Sequence, residues 1–543
     1  AGWGRSMRKP SAASSLHRPI CAPSPSCPSA FQTKLQNRAP GAPCATSSMR
    51  NGSDLPTGVP RQDSGKSAIP EEVGASMVTE GSEGVDRRIV LLIATSASFL
   101  NPFMGSSVNI ALPRIGQEFG LDAISLGWVT TVYLVSAGVL LLPFGRLADI
   151  YGRKRIFLYG ISLYTLSSVL CGLAPSAGLL ILFRVLQGIG GAMIFGTGVA
   201  ILTSVFPPQE RGKALGLNVA AVYLGLSMGP FLGGILTAQL GWRSVFLVIA
   251  PLGIVEIVLI LGKLRGEWAE ARGERFDGIG AVLYALMFLA LIYGFSELPS
   301  RMGVLSLTAG LAGMVAFILW EVRVESPVLD IRLFQQNTVF AFSNLAALIN
   351  YSATFAVSFL LSLYLQYIYG MDPQGAGSIL LVQPIVQAIF SPFAGRLSDR
   401  VEPRVVASIG LSLTVVGLFL LTGLRESTPL SMVLVSLILL GLGFALFSSP
   451  NANAIMSSVE RKFYGVASAT MGTMRLTGQM LSMGTVMLIF ALFLGRAPIT
   501  PERYDLFLAS VRTAFVTFAL LSAGAVFASL ARGEVHREDR LAG

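Results

Sequence analysis

The chain has 543 residues, of which 13% are charged and 52% hydrophobic, with mean hydropathy +0.65 and formal net charge +10. Soluble globular domains carry about 25% charged residues, so this composition excludes a soluble enzyme, a disordered regulator and a disulfide scaffold. It leaves a polytopic membrane protein, in which excess Arg and Lys report topology rather than nucleic-acid binding.

Residues 1–86 read as a disordered, low-complexity tail rich in Ser, Pro, Ala and Gly. Its first 50 residues carry seven Arg or Lys and no Asp or Glu. That pattern fits a transit peptide, but the preferred reading is an extension ahead of a start at Met49 or Met77. Gly65-Lys66-Ser67 resembles the end of a phosphate loop, but Pro60 stands where that loop needs glycine. Both histidines, His17 and His536, lie in polar tails, which excludes an embedded histidine relay and a Ser-His-Asp triad. Cys21, Cys27, Cys44 and Cys171 have the spacing of neither a zinc site nor a disulfide framework.

From Ile89 onward, apolar runs recur with short connections. About 20 residues of helix cross ~30 Å of hydrocarbon, and the backbone must pair internally there, so each run predicts a spanning helix. The runs fall near 89–110, 125–146, 155–174, 177–206, 211–239, 243–263, 276–297, 303–322, 338–368, 374–396, 402–423, 428–453, 462–494 and 511–531, fourteen in all. Loops after even-numbered spans hold 17 Arg and Lys, and those after odd-numbered spans 7. The positive-inside rule then puts the even loops and both termini in the cytoplasm.

After span 2 the chain reads Gly145-Arg146-Leu147-Ala148-Asp149-Ile150-Tyr151-Gly152-Arg153-Lys154-Arg155, and after span 10 Gly395-Arg396-Leu397-Ser398-Asp399-Arg400. One copy is explained by topology and a helix stop; a matched pair 250 residues apart implies two similar halves, a common build of secondary transporters. The first copy resembles motif A of the major facilitator superfamily. Two further stretches carry the resemblance: Arg184, Gln187, Gly188, Gly190 and Ala192 in span 4, and Gly216, Gly225, Gly229-Pro230 and Gly233-Gly234 in span 5, which fit the family's antiporter motif. Small residues at such spacing also let membrane helices pack closely. Fourteen spans, and the segment from Glu325 to Phe334, resemble the drug:proton antiporter subfamily.

The resemblance implies an all-α major facilitator fold: a six-helix bundle over 87–265, two inserted helices over 266–325, a second bundle over 326–532 and a cytoplasmic tail over 533–543. It implies a gating charge network at Gly145, Asp149, Gly152, Arg153, Gly395 and Asp399. Asp149 and Arg153, at i and i+4, can pair if that segment is helical. It further implies proton-coupled export of small organic compounds by alternating access. No cofactor beyond the proton gradient is expected. The partners would be lipid, protons and a small-molecule substrate, not nucleic acid or another subunit.

Charged groups in the hydrocarbon are expensive and should face protein or a water-filled cavity. Glu256 is the only acid well inside an apolar run; it is either a proton carrier or a side chain reaching for the membrane surface. Arg184 lies about 12 Å into span 4, and the family uses this arginine in proton transfer or in holding the cavity. A direct Arg184–Glu256 pair is not expected. Asn109, Asn350, Gln383 and Arg475 are the cavity-lining candidates, with helix–helix bonding the alternative for each. One departure stands out: Met104 occupies the place where the subfamily usually has an acid. It favours an alternative, an uncoupled facilitator or an exporter of organic anions or metabolites; a transporter-like membrane sensor is more remote. The expected location is a plasma or bacterial inner membrane, or an organelle if the tail is a transit peptide.

Overall fold

The computed structural model describes residues 86–533 except Glu270, 325–331, Asp399, 460–463 and Arg496. Fourteen helices are long and apolar enough to cross a membrane: α1 (Arg87–Phe119), α2 (Ala123–Tyr151), α3 (Arg153–Gly172), α4 (Ala177–Val205), α5 (Ala214–Leu240), α6 (Arg243–Lys263), α7 (Gly278–Glu297), α8 (Arg301–Glu321), α9 (Thr338–Ile368), α10 (Pro373–Ser398), α11 (Pro403–Leu421), α12 (Leu430–Ser457), α13 (Val466–Phe493) and α14 (Pro501–Ala531). The protein is an integral, multi-pass membrane protein, and no strand occurs among the described residues.

The apolar runs locate every helix; most ends lie within about five residues of the expected bounds, and two differ by more. The first helix continues past 110 to Phe119 and stops at Gly120, whose φ of 64° only glycine adopts without cost. The last begins at Pro501 rather than 511, through a short 3₁₀ turn. Arg114, Arg503 and Arg512, counted above as loop charges, are therefore helical. Hydropathy tracks the apolar core of a helix, whereas backbone bonding continues through its polar end turns.

Within the first half, α1 packs on α5, α2 on α4, α3 on α4 and α6; within the second, α9 packs on α13 and α14, α10 on α12, α11 on α12 and α14. Across the halves, α2 meets α13, α5 meets α10 and α1 meets α9, which defines a seam. The α2–α3 connection marks one side of the molecule, here the motif side. Several hydrogen bonds that cross the seam lie toward the opposite, far side. Ser362 Oγ donates to the Asn109 carbonyl at 2.7 Å and Gln366 Nε2 to the Ile110 carbonyl at 3.0 Å. On that side Glu118 also ties α1 to α6, accepting from Trp242 Nε1 at 2.7 Å and Arg243 Nη1 at 2.8 Å.

The glycines of α5 do different work. A Cβ on Gly225 would sit 2.5 Å from the Phe99 carbonyl, and one on Gly233 2.7 Å from Ser107 Cβ, so this face presses against α1. Gly229 is tighter still, and its carbonyl accepts from Ser107 Oγ at 2.9 Å. One residue round, a Cβ on Gly234 would be 2.6 Å from the Pro373 carbonyl, and the Pro230 carbonyl lies against Gly377, so the neighbouring face presses on α10. Gly216 differs from the other four: nothing lies within 4 Å of its added Cβ.

The α7–α8 pair stands outside this plan. α7 packs on α8, α2 and α13, with Tyr284 Oη donating to the Gly138 carbonyl at 3.2 Å. Only 17% of the α8 window is buried, against 67% for α2 and α9, so α8 rests chiefly on α7 and turns the rest of its surface outward.

Gly233→Val is expected to force α1 from α5 and lower stability by about 1–3 kcal/mol, the usual cost of overpacking. Gly216→Ala, with open space and a helical backbone, should be neutral or stabilising by up to about 1 kcal/mol. Thermal unfolding of the two purified variants in detergent checks both, and equal melting temperatures would contradict the packing account.

Candidate functional site

The first repeat forms a built junction. Helix α2 ends at Tyr151 and α3 starts at Arg153, with Gly152 between them at φ 118°. Gly152 has no side chain to cap the free N–H groups that open α3. The segment after α6 caps them instead: Arg153 N donates to the Trp268 carbonyl at 2.8 Å and Lys154 N to Glu267 Oε1 at 2.9 Å. A carboxylate at a helix N-terminus also meets the favourable end of the helix dipole. A Cβ on Gly152 would lie 2.4 Å from the Glu267 carboxylate, so the glycine makes room for its own cap.

Asp149 and Arg153 pair across the break, with Arg153 Nη2 and Nε at 2.7 and 2.8 Å from Asp149 Oδ1. Arg153 also donates to Ser204 Oγ of α4 at 2.5 Å. Arg146 pairs with Glu274 at 2.5 Å, and the Asp149 carbonyl accepts from Ala271 N at 3.0 Å. These partners belong to the first half and to the segment after α6. In the second repeat, Ser449 Oγ would sit 3.0 Å from a Cβ on Gly395; Asp399 lies outside the described residues. Sequence reading took the Arg residues of 264–275 as topology markers and missed Glu267 and Glu274; the signal available was the run of acids interleaved with them.

Arg184 is fully buried among α2, α3, α4 and α6. Its Nε donates to the Val129 carbonyl at 3.0 Å and its Nη1 to Gln187 Oε1 at 2.5 Å, while Gln187 Nε2 donates to Ser168 Oγ at 2.6 Å. The guanidinium carbon stands 4.5 Å from the Tyr133 ring centre and 5.9 Å from that of Phe246. This arginine is held by one carbonyl, an amide and ring faces, with Nη2 unpartnered among the described residues; among the described residues no ion pair joins it to Glu256.

Glu256 is 3% exposed, so it does not reach for the membrane surface. It sits where α6 meets α1: Oε1 accepts from Ser96 Oγ at 2.9 Å, and Oε2 has no hydrogen-bond partner among the described residues. One turn away, Gly253 lies against Thr165 of α3, whose buried hydroxyl is also unpartnered.

The cavity candidates separate. Asn109 is buried and accepts from Thr130 Oγ1 at 3.2 Å. Asn350 is fully buried, with neither amide atom bonded among the described residues. Gln383 is half-buried, where the α10 backbone approaches Gly441 of α12. Arg475 of α13 is also half-buried, and lies in the seam itself: its guanidinium carbon is 5.8 Å from the Phe195 ring of α4 and 5.7 Å from the Tyr351 ring of α9. Beside it, Tyr223 Oη of α5 and Ser448 Oγ of α12 are hydrogen-bonded at 2.7 Å, and Phe444 packs on Tyr351 with ring centres 5.5 Å apart. Sequence reading missed these aromatic residues, because in apolar runs they are indistinguishable from packing residues.

Two related helical halves meeting along a seam that holds polar and aromatic groups define a membrane transporter of the two-bundle kind. The family model described as Major Facilitator Superfamily matches residues 94–322 and 344–542, and the chain belongs to that family. It is 31% identical over 390 residues to the riboflavin transporter RibZ of Clostridioides difficile (strain 630), covering 71% of this chain and 84% of that one. It is 33% identical over 414 residues to the multidrug resistance protein Stp of Mycobacterium tuberculosis (strain CDC 1551 / Oshkosh), covering 75% and 76%. The fold matches the crystal structure of a bacterial homologue of the human lysosomal transporter Spinster, with TM-score 0.62, 18% identity and coverage of 82% and 97%. The chain is therefore a transporter that resembles the drug:proton antiporters.

Glu267→Ala is expected to remove the cap of α3 and lower stability by about 0.5–2 kcal/mol, whereas Glu267→Gln, which keeps an acceptor, should lose less. Melting curves of the two variants in detergent check the order; a harmless Glu267→Ala would mean that water caps α3 equally well.

Proposed function

We propose that this protein is a secondary active exporter of small organic compounds, exchanging them for protons by alternating access across the seam. The observation that carries the proton reading is Glu256. It is the one described acid away from the ends of the fourteen helices, and it is buried with one oxygen bonded to Ser96 and the other free. A carboxyl group that takes up a proton needs a site for it, and the unpartnered Oε2 provides one. Its bond to Ser96 runs to α1, which faces the seam through Asn109 and Ile110. Loading and unloading of a proton at Glu256 would thus act on a helix that lines the transport path.

The halves rock about a central site in this reading, with the far-side bonds of Asn109 and Ile110 breaking as the seam opens there. The positive-inside count puts the motif side and both termini in the cytoplasm, so the far-side bonds would close the outer mouth. Arg184 holds the first bundle together rather than carrying the proton. The driving force is the proton gradient, with no other cofactor, and the working unit is a single chain in lipid. Similarity to a relative named for multidrug resistance supports export. An uncoupled exporter is the second reading, favoured by Met104, which is fully buried in α1.

In everted vesicles energised by respiration, substrate addition should collapse part of the pH gradient, and Glu256→Gln should abolish that collapse while leaving substrate binding within about threefold, since the amide keeps the size and removes the titration. Unchanged collapse in Glu256→Gln would overturn the assignment of the carrier, and transport indifferent to the gradient would establish the uncoupled reading.

A further inference from the structure

Arg184 and Arg475 both lie inside helices, and their surroundings are opposite in kind. Arg184 is closed in by the Val129 carbonyl, Gln187 and two rings, and no part of it meets solvent. Arg475 is half-buried, and among the described residues it makes no hydrogen bond or ion pair and lies against two ring faces: Phe195 from one half, Tyr351 from the other. No carboxylate pairs with it among the described residues. Glu256 does not supply one, being turned into the contact of α6 with Ser96 of α1.

We infer that the seam takes planar aromatic anions, with a carboxylate or similar acidic group on Arg475 and the ring system against Phe195, Tyr351 and Phe444. The inference rests on the transporter reading and names its substrate class. Ring faces hold a guanidinium in place but leave its N–H donors unused, because the attraction acts through the ring quadrupole. A guanidinium with free donors is shaped for the two oxygens of a planar acid. The same aromatic walls accept a flat ring by stacking or edge contact. The hydrogen-bonded Tyr223–Ser448 pair adds polar atoms beside the ring site. An aromatic cation of equal size meets the same walls but an uncompensated like charge, in a setting where water screens poorly. Because Phe195 and Tyr351 belong to opposite halves, the rings that orient Arg475 separate when the halves move, so the anion site is assembled in one arrangement of the seam and dismantled in the other.

The test is equilibrium binding to the purified full-length protein in nanodiscs, with no proton gradient, so that failure of proton coupling does not affect the result. The probes are 2-naphthoate and its cationic counterpart N,N,N-trimethyl-2-naphthylammonium. Naphthoate should bind at least about tenfold more tightly, and Arg475→Gln should bring the two probes within about threefold of one another. Arg475→Lys should recover only part of the preference, since the point charge remains and the planar fork is lost. Tyr351→Leu should weaken naphthoate binding while the preference for the anion persists. A melting curve confirms that each variant is folded. Equal binding of the two probes to the parent protein overturns the inference, as does tighter binding of the cation, absence of naphthoate binding at millimolar concentration, or a preference that survives in folded Arg475→Gln.

Discussion

Close approach of α5 to its neighbours is the contact on which the rest of the molecule depends. In hydrocarbon the backbone must satisfy itself, which makes the helices, but apolar side chains gain little by leaving lipid for one another. What holds helices together there is short-range packing, and that requires small residues at the contact. Gly225, Gly229 and Gly233 bring α5 against α1, and the neighbouring Pro230 and Gly234 bring it against α10. A single helix thus presents one packing face to its own half and another to the opposite half. Contacts of this kind are strong only at close range, so a small separation at α5–α10 forfeits most of the attraction. The seam can in consequence be firmly shut without being permanently joined.

Against this apolar framework, each polar group is informative through what satisfies it. Arg184, Gln187, Ser168 and Tyr133 form a chain of bonds and ring contacts inside the first half, and such a network fixes the relative position of its helices. Glu256 is half satisfied, through Ser96. Arg475, among the described residues, is held by ring faces without a hydrogen bond or ion pair. Spare bonding capacity is not confined to the seam: Arg184 Nη2, the Thr165 hydroxyl and both amide atoms of Asn350 are buried without a partner among the described residues.

The helices were legible in the sequence because hydropathy and helix length are set by the same ~30 Å of hydrocarbon. The Asp149–Arg153 pair was legible from spacing alone, although it forms across a break at Gly152 rather than along a continuous helix. The ends of α1 and α14 were not, since their final turns are polar and are set by caps and turns. Nor was the cap of α3, because Glu267 is more than a hundred residues from Lys154 and nothing local links them. The candidate site was legible only in part. Charge in an apolar run singled out Glu256 and Arg475, but Phe195, Tyr223 and Tyr351 carry no periodic or chemical mark that separates them from core.

The α7–α8 pair has a geometric consequence. In a plain two-bundle molecule the seam has two equivalent flanks, one at α2–α13 and one at α5–α10, each opening sideways to lipid. Here α7 lies along the first, bound to both of its helices and fastened to Gly138 by Tyr284, with α8 behind it. Among the described residues no helix packs along the second flank as α7 does along the first. A lipophilic molecule dissolved in the bilayer therefore meets a walled side and a bare side, and the pseudo-twofold symmetry that the repeats give to the protein is absent from the surface it shows to the membrane.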